Sequence, residues 1–265
     1  MDKFGYIKGR RGPPGPAGKD ALELNTWFPL SMVRMFREDE ACTFYFDTET
    51  DGILYDKEKK PIGLKDRGGG KRNAKCLQNF QKPMKISSFR SSKYGLPLKD
   101  SLYFVDVETG IAPSSIFIVA FTFKVAAKLT DENHYIFSNA SKTRAVSITN
   151  KSLNFWGSET LPELKYKYRE WNTMIIQYSC ISFEEEDRKY DKCFFILNGE
   201  KGFFRPRAYN IKDNELYIGG LKGGSNFANV VLGSFEVYFK TYDETPTSYL
   251  IPEEIYNTIY AEIEL

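Results

Sequence analysis

The chain of 265 residues is long enough for one large domain or two modest ones. Hydrophobic residues make up 42% and aromatic residues 15%, which excludes an intrinsically disordered chain. The formal net charge of +2 is too small to indicate a nucleic-acid partner, so none is expected. Phe (21) and Tyr (17) far outnumber Trp (3) and Met (5), and residues of this kind suit pleated sheets. The composition therefore favours an all-β fold.

The N-terminal segment shows a glycine at every third position, with prolines between. Only glycine fits at the crowded axis of three polyproline-II chains, so this spacing is typical of collagen. Residues 1–20 are therefore predicted to be the end of a collagen-like stalk, and such a stalk predicts a homotrimer. The alternative is a linker rich in Gly and Pro. The repeating glycines are Gly9, Gly12, Gly15 and Gly18.

Two kinds of apolar segment are not expected in this sequence. Residues 1–12 contain no apolar core of a signal peptide. No stretch approaches the roughly 18 apolar residues of a membrane span, so membrane insertion is not expected.

Residues 21–40 are predicted to form a helical neck. Asn25 or Thr26 can cap a helix, and Pro29 suits its first turn. The helix either joins stalk to head or packs on the following domain.

Residues 41–100 combine short strands with a strongly basic stretch. Strands are predicted on both sides of Asp51-Gly52, a hairpin turn signal. Residues 57–93 then hold twelve Lys and Arg against two acids and are predicted to be irregular. This stretch is either a solvated loop or a site for an anionic ligand such as a sulfated glycan. The candidate anion-binding residues are Lys65, Arg67, Lys71, Arg72 and Lys75.

From residue 101 onward, short strands separated by turn residues indicate a sandwich or barrel. The longest runs are apolar on both faces, as in a strand buried on both sides. A short closing helix is predicted at 251–260, where Pro and two Glu open the first turn. The strands are predicted at 102–107, 115–125, 134–138, 145–149, 152–156, 171–180, 193–198, 215–219 and 233–240.

The order of these elements resembles the laminin-G-like, concanavalin A-like jelly-roll family over residues 101–262. The resemblance implies an antiparallel β-sandwich head at 41–265, with peripheral strands at 41–100 and the core at 101–265. The motifs that carry it are FIVAFTF at 117–123, YIFS at 135–138, WNTMII at 171–176, FILNG at 195–199, LYIGG at 216–220 and the tail at 251–260.

The resemblance also implies possible sites. Members of the family can hold calcium at the rim of the sandwich, and here Asp131 and Asn133 would be ligands, although calcium needs six to eight oxygens. Some relatives are glycoside hydrolases, which need two facing carboxylates. Only the alternation at Asp47, Glu49 and Asp51 offers such a pair, and it runs into a turn, so an enzyme is not expected. His134, the single histidine, is interpreted as a loop-edge residue.

Four cysteines leave two alternatives for their role. None forms a CxxC pair, so a zinc site is not favoured. Cys180 and Cys193 flank a predicted hairpin and are candidates for a disulfide; otherwise they are buried free thiols.

The sequence therefore favours a non-catalytic head of a homotrimeric, collagen-like fibre that binds a receptor or glycan. Its expected location is extracellular or on a virion surface. The alternative is a structural protein whose head serves assembly, and a carbohydrate-active hydrolase is the weakest hypothesis. Sandwich loops carry function while the sheets carry packing. The candidate ligand-binding residues on or beside such loops are Lys142, Arg144, Trp156 and Arg205.

Overall fold

The computed structural model describes residues 42–47, 52–85, 94–107, 115–156, 164–179, 182–185, 188–191, 193–204 and 213–241. Within these residues the regular structure consists of strands alone, in two large antiparallel sheets and one small hairpin. The prediction of an all-β antiparallel sandwich is therefore confirmed. The collagen-like stretch, the helical neck and the closing helix lie outside the described residues.

Sheet A contains eight strands. They are β1 (Cys42–Asp47), β5 (Met84–Lys85), β6 (Tyr94–Pro97), β8 (Ser115–Lys124), β12 (Trp171–Ser179), β15 (Cys193–Leu197), β16 (Glu200–Phe204) and β18 (Val231–Thr241). Their order is β16-β15-β12-β8-β18-β6-β5, and β1 also pairs with β18.

Sheet B likewise contains eight strands. They are β2 (Ile53–Tyr55), β3 (Pro61–Leu64), β4 (Ala74–Gln78), β7 (Leu102–Asp106), β9 (His134–Asn139), β10 (Ala145–Ile148), β11 (Leu153–Trp156) and β17 (Glu215–Ile218). Their order is β11-β10-β9-β17-β7-β4-β3-β2. The separate hairpin pairs β13 (Ser182–Glu185) with β14 (Arg188–Asp191).

An aromatic cluster between the sheets forms the centre of the core. Phe121 of β8 contacts Phe235 of β18 within sheet A and Phe137 of β9 in sheet B, with ring centroids 5.9 Å apart in both pairs. All three side chains are at most 1% exposed. Alternate residues of each strand point to one face, and this alternation places the cluster between the layers.

Sheet A is buried on its other face as well. Ile118 and Ala120 of β8 alternate with core phenylalanines, so they point away from the core, yet they are at most 2% exposed. Gln177 and Glu236 on the flanking strands are also buried on that side. Burial on both faces explains why β8 has no polar alternation.

Two turns of the sandwich depend on residues with positive φ. Asn198 and Gly199 both have positive φ (51° and 89°), as a tight hairpin turn between β15 and β16 requires. Gly219 has a φ of 98°, and a Cβ at this position would collide with the carbonyl oxygen of Ser101. The chain can therefore leave β17 this sharply only with glycine at position 219.

The predicted hairpin around Asp51-Gly52 is wrong. β1 pairs with β18 in sheet A, whereas β2 pairs with β3 in sheet B, so the chain crosses between the sheets at this point. The turn signal is local, whereas the partner of β1 is the distant strand β18.

The basic stretch is not the irregular loop that its charge predicted. β3 and β4 lie within it and join sheet B through β7, and β5 joins sheet A through β6. The strands are short, and β4 carries the charged Lys75, as is usual near the edge of a sheet. Their brevity left no alternating pattern to detect.

Candidate functional site

A basic surface lies on β3, β4 and the turns around them. We use this name for seven exposed lysines between residues 57 and 82. Within the described part of the chain, none of the seven makes an ion pair. Exposed ammonium groups of this kind attract anionic ligands. The seven are Lys57, Lys59, Lys60, Lys65, Lys71, Lys75 and Lys82.

A buried carboxylate holds the turn between β3 and β4 in shape. Asp66, only 8% exposed, accepts hydrogen bonds from the backbone N–H groups of Tyr45 (2.9 Å), Gly68 (2.7 Å) and Arg72. Its own N–H donates to Oδ1 of Asn73 at 2.9 Å. The 66–73 turn is thus closed on itself and tied to β1 of the other sheet. Its basic side chains are presented by an ordered backbone.

The charge state of Asp66 reflects two opposing influences. Burial is the larger and raises the pKa of its carboxyl above the usual value. The three N–H donors and the nearby Arg72 guanidinium lower that pKa and partly offset the burial. The backbone amides, more than any cation, are therefore what keep this carboxylate in place.

The predicted anion-binding residues all fall on this turn and its flanking strands. Lys65, Lys71 and Lys75 are exposed members of the basic surface, while Arg67 is half-buried. The N–H of Arg67 donates to the Tyr45 carbonyl oxygen at 2.8 Å. Arg72 Nη1 donates to the carbonyl oxygen of Asp106 at 2.8 Å, which fixes its guanidinium beside the end of β7. The structure therefore brings these five residues together.

The outward face of sheet B next to this surface carries residues that sequence reasoning missed. Phe104 and Tyr217 are paired on β7 and β17, with ring centroids 5.5 Å apart. Glu215 Oε2 accepts hydrogen bonds from the hydroxyl of Tyr217 and from Nζ of Lys222, both at 2.7 Å. These hydrogen bonds, first that from Lys222, lower the pKa of Glu215. Since Phe104 is far in sequence from the other three residues, only strand pairing reveals that it belongs to this cluster.

Three of the other predicted ligand-binding residues, Lys142, Arg144 and Trp156, lie at the opposite edge of sheet B. Lys142 is exposed and has a positive φ of 59°, in a turn closed by Asn139. Arg144 is only 2% exposed, and its guanidinium carbon lies 5.1 Å from the ring centroid of Tyr178. A surface ligand here would meet Lys142 before Arg144.

Trp156 ends β11, where its backbone pairs with Ala145. Arg205 lies outside the described residues. A ligand-binding role for Lys142, Arg144, Trp156 and Arg205 stays a prediction.

The residues predicted for calcium are placed at the rim near the start of β9. Asn133 Oδ1 accepts hydrogen bonds from Ser147 Oγ (3.0 Å) and Asn154 Nδ2 (3.1 Å), so this oxygen already has two hydrogen-bond donors within the protein. Asp131 is exposed nearby. Across the described ranges, His, Cys, Asp and Glu side chains form no group of three that could hold a metal ion. A calcium-binding role for Asp131 and Asn133 stays a prediction.

His134, predicted to be a loop-edge residue, has both ring nitrogens engaged. One lies 2.7 Å from Thr130 Oγ1 and the other 2.9 Å from the carbonyl oxygen of Phe227. The ring therefore ties two rim loops together.

Two further predictions concern residues that lie partly or wholly outside the described part of the chain. Cys193 begins β15, but Cys180 lies outside the described residues, so their disulfide stays a prediction. The collagen-like glycines are likewise outside. In the part of the chain that the structure covers, no helix is long and apolar enough to cross a membrane.

No protein-family model matches this chain, and no curated protein matches it either. Several solved structures, however, have a similar fold. The binding domain of botulinum neurotoxin serotype D is 12% identical with a TM-score of 0.50, and the match covers 84% of this chain and 52% of that domain. The binding domain of botulinum neurotoxin DC, in complex with rat synaptotagmin II, is 11% identical with a TM-score of 0.50, covering 84% and 52%.

A Trypanosoma rangeli sialidase, in complex with 2,3-difluoro-KDN, is 10% identical with a TM-score of 0.53. That match covers 83% of this chain and 32% of the sialidase. This chain thus spans about half the length of the toxin domains and a third of the sialidase. At such identities the comparisons establish the fold, an all-β sandwich.

Proposed function

We propose that this protein is a non-catalytic binding head that recognises an acidic glycan, free or on a receptor, through the basic surface. The observation that carries the proposal is that seven exposed lysines, which make no ion pair with any described residue, cluster around β3 and β4, and that Lys65, Lys71 and Lys75 lie on or beside the turn that Asp66 holds in order. An ordered array of cations loses less conformational entropy on binding than a loose loop would. The toxin domains with the same fold are named as binding domains, which agrees with this role.

We further propose that three such heads are joined by the collagen-like segment into an extracellular or virion-surface fibre. The support is the period-three glycine, since a collagen helix requires three chains. Light scattering on the natural full-length protein is expected to give the mass of three chains. A monomeric mass would overturn the trimer without touching the binding proposal.

The basic surface is tested by removing three of its lysines together. The variant Lys65→Ser, Lys71→Ser, Lys75→Ser is expected to bind a heparin fragment about 100-fold more weakly at physiological salt, because each cation facing an anionic surface contributes to affinity. Affinity is measured by isothermal titration calorimetry at several salt concentrations. The variant should also show a shallower salt dependence, since fewer counterions are released.

A matched control removes the same charge elsewhere. Lys128, Lys151 and Lys167 are exposed lysines on other loops, and their triple serine variant should bind heparin nearly as the unaltered protein does. Equal losses in the two variants would show that only net charge matters and would overturn the assignment to this surface. If the unaltered protein does not bind heparin at all, the alternative role in assembly is favoured.

A further inference from the structure

One row of paired residues crosses the outward face of sheet B beside the basic surface. Lys75 of β4 pairs with Phe104 of β7, which pairs with Tyr217 of β17. Tyr103, Val105, Leu216 and Ile218 belong to the core, so the residues alternating with them face outward. Neighbouring strands lie about 4.8 Å apart, so the row from Lys75 to Tyr217 extends about 10 Å, comparable to a disaccharide.

The aromatic pair in this row is fixed in place. Tyr217 is only 5% exposed, and its hydroxyl is held by Glu215, which Lys222 also contacts. Phe104 packs against it with an interplanar angle of 47° and remains half-buried. The Phe104 ring is therefore the accessible part of a rigid aromatic seat. Such a ring offers an apolar face to the C–H groups of a sugar.

Polar groups of both signs surround the seat. Lys75 stands beside Phe104 and is exposed, and the Arg72 guanidinium is anchored at the Asp106 carbonyl two residues further along β7. Glu215 of β17 pairs with Asp106 of β7, and its carboxylate can accept hydrogen bonds from a ligand as well as from Lys222. A polyanion without hydroxyl groups, such as polyphosphate, would be repelled by Glu215 and would offer it no hydrogen-bond donor. A ligand with hydroxyl donors between separated anionic groups would satisfy both signs.

We infer that this face seats an acidic saccharide: one sugar ring stacks on Phe104, its sulfate or carboxylate contacts Lys75 and Arg72, and a hydroxyl donates to Glu215. The inference rests on the proposed function and refines it. The basic surface supplies attraction at a distance, whereas the row supplies the selection of a sugar over other polyanions.

The test compares two probes, a heparin tetrasaccharide and inorganic polyphosphate of similar charge. Phe104→Ala is expected to weaken binding of the tetrasaccharide about tenfold, because the stacking face is lost. Its binding of polyphosphate should be unchanged. Phe104→Leu keeps an apolar side chain on the sheet but removes the ring, so it should show the same selective loss while melting close to the unaltered protein. Tyr168→Ala removes a 46% exposed aromatic before β12 and should leave both affinities unchanged.

The outcomes separate this inference from the function on which it rests. If both Phe104 variants bind the tetrasaccharide normally while the triple lysine variant does not, the seat is overturned and the proposed function stands. If the Phe104 variants lose both probes equally, selection of a sugar is overturned. If no variant matters because the unaltered protein binds neither probe, the proposed function itself fails.

Discussion

Replacing Phe121 by alanine is expected to lower the free energy of unfolding by about 3–5 kcal/mol. The ring is 1% exposed and contacts Phe123 as well as Phe137 and Phe235, so its loss leaves a cavity between the two sheets that neighbours on both sides line. Urea denaturation followed by tryptophan fluorescence measures the change. The midpoint should fall with little change in the denaturant slope.

Two further variants serve as controls for this prediction. Phe121→Leu keeps most of the volume and should lose much less stability than the alanine variant. Tyr168→Ala, at an exposed aromatic, should change stability by no more than about 0.5 kcal/mol. A loss below about 1 kcal/mol for Phe121→Ala would contradict a core centred on this cluster.

Asp66→Ala is expected to weaken heparin binding about tenfold, although it makes the basic surface more positive by one charge. The reason is that the backbone N–H groups of Tyr45, Gly68 and Arg72 lose their shared acceptor. Lys65 and Lys71 would then be carried on or beside a loop that must be ordered on binding. The same loss should lower the free energy of unfolding by about 2–4 kcal/mol. Asp66→Asn keeps one acceptor oxygen and should fall between the two proteins.

The matched control is Glu58→Ala, which removes one negative charge from the same surface at an exposed position. It should bind heparin as well as the unaltered protein or slightly better. If Asp66→Ala also binds better, attraction between charges alone governs binding, and the ordering role of Asp66 is refuted.

The long buried strands could be predicted from the sequence because the apolar pattern that marks them lies within each strand. In β8, Ile118 and Ala120 are as apolar as the core residues that alternate with them, and both faces of the strand are buried. Asn198-Gly199 could be recognised for a similar reason, since the turn needs two residues with positive φ.

What could not be predicted depends on pairing between distant segments. Asp51-Gly52 is a hairpin turn signal, but nothing near it indicates that β1 belongs beside β18 and not beside β2. The row of Lys75, Phe104 and Tyr217 joins three strands that are separate in sequence. In the sequence, each of the three is an ordinary strand residue with no sign of its partners. Their proximity arises only when sheet B is complete.

The position of β18 has a consequence for the biogenesis of the protein. This strand lies inside sheet A, where it pairs with both β8 and β1, and its pairing with β1 joins residues about 200 positions apart. During translation, the segments of β1, β6 and β8 leave the ribosome long before their shared partner is made. Until then they expose unpaired edges and apolar faces that attract other chains. We therefore expect sheet A to fold slowly and only after β18 has been synthesised. Until then, we expect the nascent chain to depend on chaperones.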